Sequence, residues 1–134
     1  MPVQRSDALP IRNASDVVAV RQLVRTRAQE AGFNLVDQTR IVTAASELAR
    51  NTLDYGGGGR ATVQVLTETG RTGLRMLFED EGPGIPDIEL ALRDGYTTGH
   101  GLGLGLGGAR RLMNDLRIES QPGKGTRVDT VRWR

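Results

Sequence analysis

The chain has 134 residues with a formal net charge of +2, 25% charged, 37% hydrophobic and only 4% aromatic residues, which predicts one domain, 1–134, around an aliphatic core that buries roughly 68% of the unfolded surface. It contains no cysteine, which excludes disulfides and thiolate metal sites. No apolar stretch approaches the ~18 residues of a membrane span, and no secretory segment follows Met1, so a cytoplasmic protein that does not enter the membrane is predicted.

In chain order, A-L-P-I-R at 8–12 reads as an edge strand, where Pro10 is tolerable because an edge position can lack a donor. Asn13 or Ser15 is a suitable N-cap for a helix to about Ala31, stopped by Gly32. Its apolar stripe is Val17, Val20, Leu23, Val24 and Ala28. Asp37 is predicted to cap a second helix that runs to about Leu53 with Ile41, Ala45, Leu48 and Thr52 on its buried side. The glycines at 56–59 end it.

The segments 61–67 and 73–79 alternate with period two around E-T-G-R-T-G, which predicts an antiparallel hairpin. A short helix is expected from Asp87 to Arg93 and another over 109–116. Two closing strands, near 117–120 and 126–133, flank the turn Q-P-G-K-G. The sum is an α+β two-layer sandwich, a mostly antiparallel sheet with helices on one face.

Three runs carry the chemistry. In E-L-A-R-N at 47–51, Glu47 and Asn51 lie one helical turn apart on the same side, at the margin of the stripe that holds Leu48. The Asn51 amide oxygen is a hard donor suited to Mg²⁺, and Glu47 can accept a proton from a hydroxyl. By spacing alone such a pair is more often solvated helix surface. In D-E-G-P-G at 80–84, a carboxylate at a strand end can accept from an exocyclic amine such as that of adenine. Gly82 and Gly84 would let the chain pass under a flat base, and Ile85 would give it an apolar contact. Taken alone, the same run is an ordinary turn.

The third run is harder to read as anything bland. Glycines at 99, 101, 103, 105, 107 and 108 weaken any helix or strand, while Leu102, Leu104 and Leu106 argue against a disordered linker. The leucines look like pins that seat a loop whose amides face a phosphate at the start of the next helix. Gly103-x-Gly105-x-x-Gly108 matches the dinucleotide fingerprint in letters only, since no strand leads into it and no acidic residue follows about twenty positions on. A Walker A motif is absent as well. His100, the sole histidine, is more often incidental than catalytic in such a setting. The scattered arginines, without a clustered basic face or interleaved aromatics, argue against nucleic acid as a partner.

Taken in this order, the three runs resemble the N box and the two glycine boxes of the GHKL (Bergerat-fold) ATPases, which include gyrase, Hsp90, histidine kinases and MutL. G-K-G-T at 123–126 is similar to their last nucleotide-contacting segment. Within that superfamily, the stretch from Asp94 to Asn114 resembles the bacterial anti-sigma regulatory and switch serine/threonine kinases of the RsbT type.

The resemblance implies a single ATP-binding kinase domain that uses ATP and Mg²⁺ and phosphorylates a STAS-domain antagonist. Such a kinase then engages a downstream activator such as a phosphatase, and a homodimer is possible because related anti-sigma kinases dimerise. Carried over by position, Glu47 would be the general base and Asn51 the magnesium ligand. Asp80 would hold adenine with Gly84 and Thr126. Thr98, Gly99, His100, Gly101, Leu102, Gly103, Leu104 and Gly105 would cover the phosphates, and Arg50 would reach phosphate or ribose. Tyr55 stands where some relatives carry histidine. The alternative is an anti-sigma factor or nucleotide-controlled binding module without significant kinase activity.

Overall fold

A computed structural model describes residues 3–85, 88, 92 and 106–134. The chain order is β1 (Val3–Ile11), α1 (Ala14–Glu30), α2 (Leu35–Asp54), β2 (Gly59–Glu68) and β3 (Arg71–Asp80), then α3 (Leu106–Leu112), β4 (Asp115–Gln121) and β5 (Gly125–Trp133). The strands form one five-stranded sheet in the order β1-β2-β3-β5-β4, with every adjacent pair antiparallel. The α+β sandwich is therefore as expected. The predicted helix 87–93 lies outside the described residues, of which only Ile88 and Leu92 are seen. The Leu92 N–H donates to the Ile88 carbonyl at 3.0 Å.

Strand alternation sorts the sheet into two faces. Ala61, Val63 and Val65 of β2 pair with Phe78, Met76 and Leu74 of β3. These residues join Val17, Val20 and Val24 of α1 and Ile41, Ala45 and Leu48 of α2 in one core. Leu48, Phe78 and Met76 are at most 1% exposed, so α2 lies flat on the centre of the sheet.

Asn13 caps α1, its side chain accepting from the Asp16 N–H at 3.0 Å. Asn34, not Asp37, caps α2: its side chain accepts from the Asp37 N–H at 2.8 Å. Asp37 sits instead in the first turn, where its charge favours the helix N-terminus. It also accepts from the Arg132 guanidinium at 3.1 Å. That same guanidinium donates to the Leu112 carbonyl at 2.9 Å, which ties the end of α3 to the start of α2.

The β2–β3 connection is tighter than expected. Glu68 already pairs with Arg71, leaving Thr69 and Gly70 as the turn. Gly73, the first residue of the expected strand, lies inside β3, which begins two residues earlier at Arg71: an added Cβ would come within 2.5 Å of the Trp133 ring that covers it. The Arg71 guanidinium lies 4.0 Å above that ring, a cation–π contact. Among the described residues, no helix is long and apolar enough to cross a membrane.

Candidate functional site

Glu47 and Asn51 of α2 and its C-cap residue Tyr55 fall at four-residue spacing, so the three follow one another along one side at about 6 Å per step. Glu47 and Asn51 are half-buried, at the edge of the stripe formed by Ala44, Ala45, Leu48 and Thr52. Arg50 is exposed and its guanidinium stands 3.7 Å from Glu47, a separation that contributes little in water. The helix is closed by the Asn51 carbonyl, which accepts from the N–H groups of Tyr55 at 3.0 Å and Gly56 at 3.2 Å.

Gly56 delivers the chain to Asp80. A Cβ there would lie 2.3 Å from the Asp80 carboxyl carbon, and one on Gly82 would lie 2.7 Å from Gly56 itself. Backbone and carboxylate thus approach more closely than any side chain at those positions would allow. One Asp80 oxygen, Oδ1, accepts from the Gly82 N–H at 2.9 Å and the Thr126 N–H at 3.2 Å. Burial nevertheless pushes the Asp80 carboxyl above the usual carboxylate range, with the two amides only partly offsetting it. No cation is paired with it among the described residues.

The D-E-G-P-G run is anchored from two sides. The Tyr55 hydroxyl donates to the Gly84 carbonyl. Opposite, the Ile85 N–H donates to Ser120 Oγ at 2.6 Å, and Ser120 Oγ lies 3.0 Å from Thr126 Oγ1. The Gly123 N–H donates to the Pro83 carbonyl at 2.9 Å. Gly84 has φ +80°, and a Cβ there would lie 2.4 Å from the Gln121 carbonyl oxygen, so conformation and space both require glycine.

Asp80, Gly82, Gly84, Ile85 and Thr126 are thereby brought together, with Thr126 buried. Glu47, Arg50 and Asn51 lie up the adjoining helix. Thr98 to Gly105 fall outside the described residues. The sequence reading missed Gly56, read only as a helix stop, and Ser120; it assigned Tyr55 no role. Gly56 meets Asp80, Tyr55 meets Gly84 and Ser120 meets Ile85 across 24, 29 and 35 positions, a range over which no local spacing rule operates.

A cleft of about 630 Å³ also opens at the strand ends. It touches Asp80 and Thr126 but takes its other walls from Arg60, Glu79, Glu119 and Arg127 and from no residue of α2, so it is not the space beside Glu47 and Asn51.

The donors suit a nucleotide and a hard cation. The two amides both bond Asp80 Oδ1 and leave Oδ2 to a ligand, within a cradle that added Cβ atoms would fill. Asn51 supplies an uncharged oxygen of the kind Mg²⁺ takes alongside phosphate and water. Among the described residues no group of three or more His, Cys, Asp or Glu could hold a metal, so a divalent ion here would draw most of its ligands from elsewhere.

Residues 36–133 match the family described as histidine kinase-, DNA gyrase B-, and HSP90-like ATPase. The chain is 48% identical over 118 residues to the serine/threonine-protein kinase RsbT of Bacillus subtilis, covering 88% of this chain and 89% of that protein. It is 33% identical over 95 residues to an anti-sigma F factor of Clostridium novyi, covering 67% and 66%. The fold resembles the RsbU and RsbW domains of a Mycobacterium tuberculosis protein, with a TM-score of 0.62 at 20% identity over 100% of this chain and 33% of that one. It also resembles a chain of the SiaB–SiaC complex from Pseudomonas aeruginosa, with a TM-score of 0.57 at 17% identity over 98% and 91%.

Proposed function

The chain belongs to the histidine kinase-, DNA gyrase B- and HSP90-like ATPase family, and from that premise we propose that it is a serine/threonine protein kinase of a partner-switching module. It transfers the γ-phosphoryl group of ATP to a STAS-domain antagonist protein in the cytoplasm and, once released, engages a downstream activator such as a phosphatase. The observation that carries this reading is the run of Glu47 and Asn51 along a helix whose end closes on the Asp80 cradle. The 48% identity to a serine/threonine-protein kinase along most of the chain supports it.

In this reading Asp80 accepts a hydrogen bond from the adenine amine, with Gly82, Gly84, Ile85 and Thr126 shaping the base site. Asn51 holds the magnesium ion, and Arg50 and the segment Thr98 to Gly105 contact the triphosphate. Magnesium, when bound, neutralises charge on the phosphate oxygens. Glu47 takes the proton of the acceptor hydroxyl as that oxygen bonds to the γ-phosphorus. The bond from the γ-phosphorus to the bridging oxygen breaks, and ADP leaves. Most of the work is positioning, and the proton acceptor adds about 10²- to 10⁴-fold.

The test mixes purified protein, γ-labelled ATP and a STAS-domain protein encoded beside it. Label on a serine or threonine of that protein is expected; none, with ATP bound, would leave the second reading. That reading is an anti-sigma factor in which nucleotide only sets conformation, and the 33% identity to an anti-sigma F factor supports it.

A further inference from the structure

Tyr55 is the third member of the row begun by Glu47 and Asn51, about 12 Å along the axis from the first. It is also where α2 stops, since its own N–H donates to the Asn51 carbonyl at 3.0 Å. Its hydroxyl crosses 29 positions of sequence to the carbonyl of Gly84. It is half-buried, a setting in which a phenol with a fixed partner contributes more than one facing water.

On the far side of the same turn, Ser120 accepts from the Ile85 N–H at 2.6 Å. The turn that follows Asp80 is therefore held between a helix residue and a β4 residue. Nothing else on α2 touches this carbonyl among the described hydrogen bonds. Tyr55 thus links the end of α2 to the turn, its backbone N–H bonded to the Asn51 carbonyl and its phenol to the Gly84 carbonyl.

We propose that Tyr55 is a positioning residue: with Ser120 as its opposite anchor, it fixes the Asp80–Gly84 turn against the helix that bears Glu47 and Asn51, and so sets the base selectivity of the nucleotide site. This rests on the nucleotide reading given above. Tyr55 itself touches neither the base nor the phosphates. Its effect runs through the aim of the Asp80 carboxylate, which is what distinguishes an amine on the base from a carbonyl. A loosened turn loses adenine first. The phosphate end, with its own ligands on α2, is affected equally whether two or three phosphates are present.

The experiment titrates Mg-ATP, Mg-ADP and Mg-GTP into wild type, Tyr55→Phe, Ser120→Ala and the double variant by calorimetry. For Tyr55→Phe, ATP and ADP should each weaken by about three- to tenfold, the effect of one lost hydrogen bond. The preference for ATP over GTP should narrow by a similar factor. Ser120→Ala should act in the same direction, and the double variant should lose less than the product of the two, because both residues brace one turn.

A merely structural tyrosine would lower the melting temperature while the folded protein kept its wild-type ATP affinity and its ATP-over-GTP preference; that result overturns the inference. So does a double variant whose losses multiply without coupling. Wild-type protein that binds no Mg-ATP overturns the nucleotide reading itself, and this inference with it.

Discussion

Asp80 and Asp129 stand on paired strands of one sheet and are treated in opposite ways. Asp129, on the face away from the helices, is gripped in bidentate fashion by Arg75 at 2.8 and 2.6 Å. That hydrogen bonding holds its carboxyl below the usual carboxylate range against the opposing effect of burial. Asp80, on the helix side at the strand end, has two backbone amides and, among the described residues, no cation, and burial leaves its carboxyl raised. A carboxylate whose charge is matched within the fold serves the fold. One that is buried with its demand incompletely met is the arrangement expected where a ligand completes it.

Glu47 gives the widest margin for testing that division, because it resembles neither aspartate: it is half-buried, and its ion-pair partner among the described residues is the exposed Arg50 at 3.7 Å. Glu47→Gln should cut phosphoryl transfer by about 10²- to 10⁴-fold while Mg-ATP binding and melting temperature stay near wild type. Unchanged transfer in a labelled-ATP assay would remove Glu47 from the chemistry.

Next in size is Asp80→Asn. Losing a charge-assisted hydrogen bond should weaken ATP binding by about 10- to 100-fold and reduce the discrimination against GTP. The same substitution should leave the nucleotide-free protein as stable as wild type, or more so, since the asparagine oxygen still accepts from Gly82 and Thr126 while a buried charge disappears. A titration paired with a thermal melt checks both halves. A large drop in melting temperature would put Asp80 with the structural carboxylates. Asp129→Asn should do the reverse. It leaves Arg75 half-paired, costing about 1 kcal/mol, a few degrees of melting temperature, with no change in ATP affinity.

How far this division could be read from sequence depends on range. The α2 stripe was legible because Ile41, Ala45, Leu48 and Thr52 repeat at helical spacing, and all four are buried. Gly84 and Asp80 were legible as a tight acidic turn at a strand end. The cap of α2 was misplaced because Asn34 and Asp37 are both good capping residues three apart, and only the backbone decides which one accepts. The hairpin turn was drawn too wide because Glu68, Arg71 and Thr72 carry no alternation of their own, and only the pairing of Glu68 with Arg71 and of Thr67 with Thr72 carries the strands to the two-residue turn. Ser120 gave no local signal: its partners come from a separate turn and from the strand that folds back beside it. Asp129 could not be told from a solvated strand residue without the register that sets Arg75 against Val131 and within reach.

The smallest effect is in pH, and it separates the two aspartates by sign. Asp129 has a depressed folded value, so its contribution to stability is present above the unfolded carboxylate value of 3.8 and fades as pH falls through the lower folded one. Asp80 has a raised folded value, so its contribution is present below 3.8 and is lost as pH rises through the folded value. Melting temperatures followed from pH 7 downward should therefore diverge between variants in two adjoining windows. Relative to wild type, Asp80→Asn should gain its advantage as pH climbs from about 4 toward neutrality. The deficit of Asp129→Asn should shrink below about 4, where wild-type Asp129 is itself being protonated and the pair with Arg75 is lost. If the two difference curves instead bend the same way, the aspartates are not in opposite electrostatic states, and Asp80 loses the main physical reason for being assigned to a ligand rather than to the fold.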